Sequence, residues 1–118
     1  MAINESKEHV LRFRVANIGF LNIKKGSKKI ETRAATSRFR KIEKGDMLVL
    51  SCGKEKLKKQ VLSVKRFESI PALFKTYRLK DVMPEKKSIE EATLAYYSYH
   101  GYEEKIKKFG LIAFKLKS

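Results

Sequence analysis

With Cys52 the sole cysteine of 118 residues, no internal disulfide can staple this fold. The only imidazoles, His9 and His100, fall at no metal-ligand spacing, and Cys52 merely closes the apolar run MLVL, so neither a metal centre nor a thiol nucleophile is expected. Long apolar runs are missing as well. Nothing approaches the roughly eighteen residues needed to cross a bilayer, no lipidation signal is present, and the opening MAINESKEH is polar rather than signal-like. Negative charge is scarce: thirteen Asp and Glu face twenty-eight Lys and Arg, a formal net charge of +15. Such an imbalance creates a strong positive field and points to a polyanionic partner. RNA is the first candidate, because neutralising phosphates releases counterions. An anionic membrane surface is second and lacks any supporting segment. The expectation is a cytoplasmic protein without cofactor, preferably a monomer, binding RNA or a nucleotide.

What is present describes one domain. The hydrophobic share of 42% suffices for a core, and repeats and linkers are absent. After a loose stretch over residues 1–8, HVLRFRV alternates as a half-buried strand, with Arg12 and Arg14 opposite Leu11, Phe13 and Val15. Phe20, Leu21 and Ile23 fall at helical spacing between a capping Asn17 and a terminating Gly26. Gly45-Asp46 turns the chain into the strand MLVLS; GKEKLKK reads as a basic hairpin loop, after which QVLSVKRF returns to pair with MLVLS. Ile70, Leu73, Phe74 and Tyr77 mark a helix, and Ser88 with Glu91 forms a capping box opening another through EEATLAYYSYH. Gly101 interrupts it, YEEKIKKF adds a further helical stretch, and LIAFKLK closes the domain as a strand expected to pair with the first one.

The segment GSKKIETR, from Gly26 to Arg33, carries the chemistry. Alternation along a strand puts Lys29, Glu31 and Arg33 on one face and Ile30 and Thr32 on the other. By itself this pattern describes an exposed ion pair of little energetic weight. In a recess, the carboxylate would be neutralised by the cations, and the surplus positive charge would hold an anion such as phosphate.

The string F-x-x-I-x-x-G-x-K-x-x-E-x-R, formed by Phe20, Ile23, Gly26, Lys28, Glu31 and Arg33, resembles the signature of the ASCH family. The Gly45-Asp46 turn, VKRFESIPALF, SIEEATLAYYSYH and FGLIAFKL follow in the order of that family, so the likeness spans Val10 to Leu116. The resemblance implies an α+β fold, a PUA-like β-barrel of about five or six mostly antiparallel strands with two to four flanking helices. It also implies a cleft beside the barrel, lined by Lys28, Glu31 and Arg33, in a family associated with RNA. Some members are similar to amidohydrolases of modified cytidine, in which the lysine matching Lys28 acts with a hydroxyl residue and a later carboxylate. Here Glu31 occupies the hydroxyl position, Thr32 is one residue off, and no later carboxylate aligns. Others resemble ribonucleases using the same lysine.

Three readings follow. The first is an RNA-binding protein whose cleft takes a nucleotide or phosphate at Lys28, Glu31 and Arg33. Tyr96 and Tyr99 share a helix face as packing residues, and Tyr97 reaches the cleft as a stacking platform. Arg38, Arg40, Lys41, Lys54, Lys56, Lys58 and Lys59 form a diffuse phosphate-facing surface. The second is an RNA-processing enzyme with Lys28 and Glu31 catalytic. The third is a ribosome- or partner-docking protein whose charge serves association alone.

Overall fold

The computed structural model describes residues 7–118. Of the loose stretch expected over 1–8, residues 1–6 lie outside the described residues, and Glu8 already begins strand β1 (Glu8–Phe13). The chain continues through α1 (Ile18–Lys25), β2 (Ile30–Ala34), α2 (Ser37–Arg40), β3 (Met47–Cys52) and β4 (Glu55–Phe67). It then runs through α3 (Ile70–Thr76), α4 (Leu79–Val82), α5 (Ile89–Ser98), α6 (Tyr102–Phe109) and β5 (Leu111–Leu116). The caps are those the side chains dictate: Asn17 accepts from Phe20 N, Ser69 from Ala72 N and Ser88 from Glu91 N, while Gly26 ends α1 in the left-handed conformation. Besides the four longer helices there are two four-residue turns, α2 and α4, too short to leave a periodic signal.

All five strands form one curled half-barrel sheet in the order β1-β3-β4-β5-β2, antiparallel except for the β1–β3 pair. Two pairing expectations are corrected. The terminal strands β1 and β5 do not meet: β1 lies beside β3, and β5 lies between β4 and β2. The partner of MLVLS is EKLKKQ, with Met47 opposite Gln60 and Cys52 opposite Glu55, so the supposed basic loop is strand and the turn is only Gly53-Lys54. VLSVKRF pairs with β5 instead, past a bulge between Val61 and Ser63. Lysines on an outward pleat face read as loop because their polarity hides the alternation with Leu57 and Val61.

β5 is buried on both faces, which explains its continuous apolar run. Ile112, Phe114 and Leu116 point into the curl, where Leu11, Leu48, Leu50 and Val61 meet Phe20 and Ile23 of α1. Leu111 and Ala113 point the other way, beside Ile30 and Ala34, and are covered by Ile70, Leu73, Val82, Ala92, Tyr96 and Ile106 of the helical layer. Among the described residues no helix is long and apolar enough to cross a membrane.

Candidate functional site

The half-barrel leaves its two edge strands, β1 and β2, facing each other across a seam, and side chains close it. The Arg33 guanidinium of β2 donates to Arg12 O at 3.5 Å, and Arg38 donates to Val10 O at 3.2 Å, satisfying carbonyls on the free edge of β1. On the free edge of β2, Thr32 N donates to the Glu31 carboxylate at 3.1 Å and Ala34 N to the Tyr102 hydroxyl at 3.4 Å. These contacts satisfy edge groups that would otherwise pair with another strand.

A cavity of about 240 Å³ opens at this seam. It is bounded by Arg12 and Phe13 at the end of β1 with Arg14 just beyond, by Asn17, Ile18 and Gly19 at the cap and start of α1, by Lys28 ahead of β2 and Glu31, Thr32 and Arg33 within it, by Met83 and Glu85 after α4, and by Tyr96, Tyr99 and Tyr102. That volume is below the roughly 300–1,000 Å³ of pockets for drug-sized molecules, which suits one planar ring with its sugar.

Lys28, Glu31 and Arg33 converge as expected, but by a different route. Ser27 N and Lys28 N both donate to Asn22 O of α1, so the chain leaves Gly26 bound to the helix and enters the pleat only at Ile30. Lys28 therefore takes the place that alternation assigns to Lys29, whose side chain is exposed. The Lys28 ammonium is 6% exposed, lies 3.5 Å from Glu31 Oε1 and donates to Val82 O. Burial pulls it below the ordinary lysine value of 10.5, against the opposing attraction of Glu31 and Glu85. Glu31, 5% exposed, also accepts from Arg33 at 3.2 Å. The Arg33 guanidinium stacks over Phe13, 4.9 Å from the ring centre, and over Phe39 at 5.6 Å.

Thr32 occupies the other pleat face, and its hydroxyl is hydrogen-bonded to the buried Tyr96 hydroxyl of α5. Because β2 is an edge strand, both of its faces reach the cavity. Burial raises the Tyr96 phenol well above its ordinary value, and burial followed by the Glu31 charge raises that of Tyr99, so both remain neutral donors.

Tyr97 is corrected: it is exposed and does not line the cavity, because the turn of α5 that buries Tyr96 carries its neighbour outward. Tyr99 and Tyr102 reach the cavity instead, their rings edge-to-face at 5.4 Å. Arg12, Arg14 and Phe13 of the first strand escaped notice as cavity residues, although two outward cations at a strand end are a visible signal. Glu85 gave none; it stands exposed at the cavity wall, accepting from Asn22 at 3.2 Å.

Of the surface cations, Arg38, Arg40, Lys41, Lys54, Lys56 and Lys58 are exposed. Lys58 pairs with Glu8 at 3.2 Å, and Lys59 is half-buried in register with Leu48, on the inward face.

No family model matches the chain, and no curated protein does. Solved structures similar to it include the following two. Hypothetical protein PH0355 is 29% identical with a TM-score of 0.79, over 92% of this chain and 98% of that one. Protein PF0455 from Pyrococcus furiosus is 31% identical with a TM-score of 0.71, over 92% and 96%. Neither name states an activity or a ligand, so both bear on fold and ancestry alone. At that identity over nearly the full length of both chains, the protein belongs to the same family as Pyrococcus furiosus protein PF0455.

Proposed function

We propose that this is an RNA-binding protein whose seam cavity receives a single nucleotide unit, base inward and phosphate at the rim. The observation that carries this reading is the cavity: aromatic walls from Phe13, Tyr99 and Tyr102, a polar floor of Lys28, Glu31 and Thr32, and two arginines, Arg12 and Arg14, at its β1 side. Unstacked bases are held between aromatic and guanidinium planes and read at their polar edges, which is how single-stranded RNA is commonly recognised. Lys28 supplies donors and Glu31 acceptors to such an edge. The net charge of +15 supplies the attraction to the backbone. A cytoplasmic site of action is part of the same proposal, as is the ASCH assignment, which the Lys28, Glu31 and Arg33 motif supports.

The test is titration of nucleoside monophosphates and short single-stranded RNA, followed by calorimetry and NMR. Tyr99→Ala is expected to weaken binding by roughly 1–3 kcal/mol, the usual worth of one stacked base. Lys28→Ala should weaken it more than Lys54→Ala does. Nucleotide titrations that leave the resonances of the cavity residues unmoved would remove the proposal.

A second, enzymatic reading is favoured by one observation: a buried amine with a depressed pKa shares the cavity with a carboxylate from later in the chain, Glu85. An amine poised toward its neutral form is suited to proton transfer. Incubation with N-acylated nucleosides should then yield the free base form, at a rate that rises with pH along a titration below 10.5. Lys28→Ala should abolish turnover with the fold intact. Absence of turnover across acylated nucleosides and RNA leaves binding as the function.

A further inference from the structure

The helical layer covers only part of the sheet. Its apolar contacts are with β2, β5 and the end of β4, at Ile30, Ala34, Leu111, Ala113 and Phe67. On β1, β3 and the first half of β4, the strand register fixes which residues share the outward face. Arg12, Ser51 and Lys56 lie side by side in one row, and Val10, Val49 and Lys58 in the next. Phe13, Leu11, Leu50 and Leu57 occupy the opposite, inward face, as their place in or against the core within the curl confirms. Arg12, Val10, Lys56 and Lys58 are exposed, and Val49 and Ser51 are half-buried. At the free edge of β1, the exposed Arg38 reaches Val10 O. Strands about 4.8 Å apart and residues about 6.8 Å apart on one face put Lys56 roughly 10 Å across from Arg12 and roughly 7 Å along from Lys58.

We propose that this outward face of β1, β3 and the first half of β4 is the track on which a single-stranded RNA continues out of the cavity, its phosphates held by Arg12, Lys56 and Lys58. The proposal rests on the reading of the cavity as a nucleotide site. Two features argue for this occupant. The face is continuous with the cavity, because Arg12 belongs to both. Its charge is complementary to a polyphosphate: among the described residues it carries the cations Arg12, Arg38, Lys56 and Lys58 and one carboxylate, Glu8, which lies 3.2 Å from Lys58. The centre of the face is aliphatic, Val10 and Val49, with no aromatic platform, so the track grips the backbone without selecting bases. It also sorts the basic surface: Lys59 points inward and Lys24 lies on α1, so neither belongs to the track.

The test measures affinity for a mononucleotide and for single-stranded oligouridylates from about four to about twelve nucleotides, the range of single-domain sites. Affinity should rise with length. The double variant Lys56→Glu with Lys58→Glu should weaken the longest oligomer roughly tenfold and flatten the slope of log K against log salt by about 1.4, since each contact to a single strand contributes about 0.7. Mononucleotide binding should be unchanged. Lys56→Gln with Lys58→Gln serves if the charge reversal disturbs folding. Lys75→Glu with Lys107→Glu, the same charge change on α3 and α6, should leave the slope unaltered. Length-independent affinity, an equal effect from the helical variant, or preference for phosphatidylserine vesicles over RNA would overturn the track. If the mononucleotide binds and the slope ignores Lys56 and Lys58, the track falls and the cavity stands. If the long oligomer depends on both lysines and no mononucleotide binds, the track stands and the cavity reading falls.

Discussion

A lysine can be buried only in company, and Lys28 keeps Glu31 and the Val82 carbonyl. Its pKa lies below 10.5 in the fold, so the unfolded chain binds more protons in the window between the folded value and 10.5, and stability contributed at this site rises with pH there. Lys28→Met removes that dependence. Urea unfolding of both proteins from neutral pH to about pH 10 should show wild type gaining on the variant as pH rises. Asp46 gives the opposite case. Burial alone would raise its carboxyl, but hydrogen bonds from Glu43 N at 2.9 Å and Lys7 N at 3.2 Å, with His9 Nε2 at 2.8 Å, hold it below 3.8. Its contribution is therefore complete above 3.8 and is lost as pH falls through the lower folded value. Asp46→Asn should cost about 1–3 kcal/mol at neutral pH, and the gap to wild type should close in acid, as followed by denaturant midpoints. At this scale the Glu31 and Arg33 pair was legible because they lie two apart on one strand. Tyr97 was misplaced because tyrosines clustered within a few positions do not say which of them the core will claim.

Elements meet through backbone as well as side chains. Gly110, between α6 and β5, has φ of 75° and ψ of −164°, a conformation open essentially to glycine alone. A Cβ there would sit 2.2 Å from Phe67 O, in the backbone of β4. Gly110→Ala is expected to cost about 3 kcal/mol or more, because strain and a backbone clash add, and chemical denaturation measures it. The seam depends on a different device: Arg33 of β2 and Arg38 of α2 bind carbonyls on the β1 edge, which keeps the two edge strands near each other without a ladder. The starts of α1 and α5 were legible because Asn17 and Ser88 cap locally, whereas α3 was read from its apolar spacing. The first half of β4 was not legible, because Glu55 to Lys59 carry the composition of a loop, and only pairing with β3 makes them a strand.

Over the whole molecule, +15 on 118 residues is a standing self-repulsion that folding concentrates. Screening should relieve it. Thermal melts from about 0.05 M to about 0.5 M sodium chloride should show a midpoint rising by several degrees, as the Debye length shrinks below the spacing of surface lysines. RNA at low salt should raise the midpoint further by binding the native state alone, and lose that effect as salt rises. A midpoint indifferent to both would mean that the charge is spread too thinly to matter.

The amino-acid sequence by itself determined the caps, the apolar faces, the sign of the field and the meeting of Glu31 with Arg33, because each depends on neighbours a few positions apart. The cavity was decided elsewhere. Arg12, Glu85, Tyr99 and Tyr102 join Lys28 only because β1 and β2 become opposite edges of one curled sheet with α5 and α6 packed behind. No local period encodes that juxtaposition; it arises when burying β5 on both faces forces the remaining strands to curl around α1.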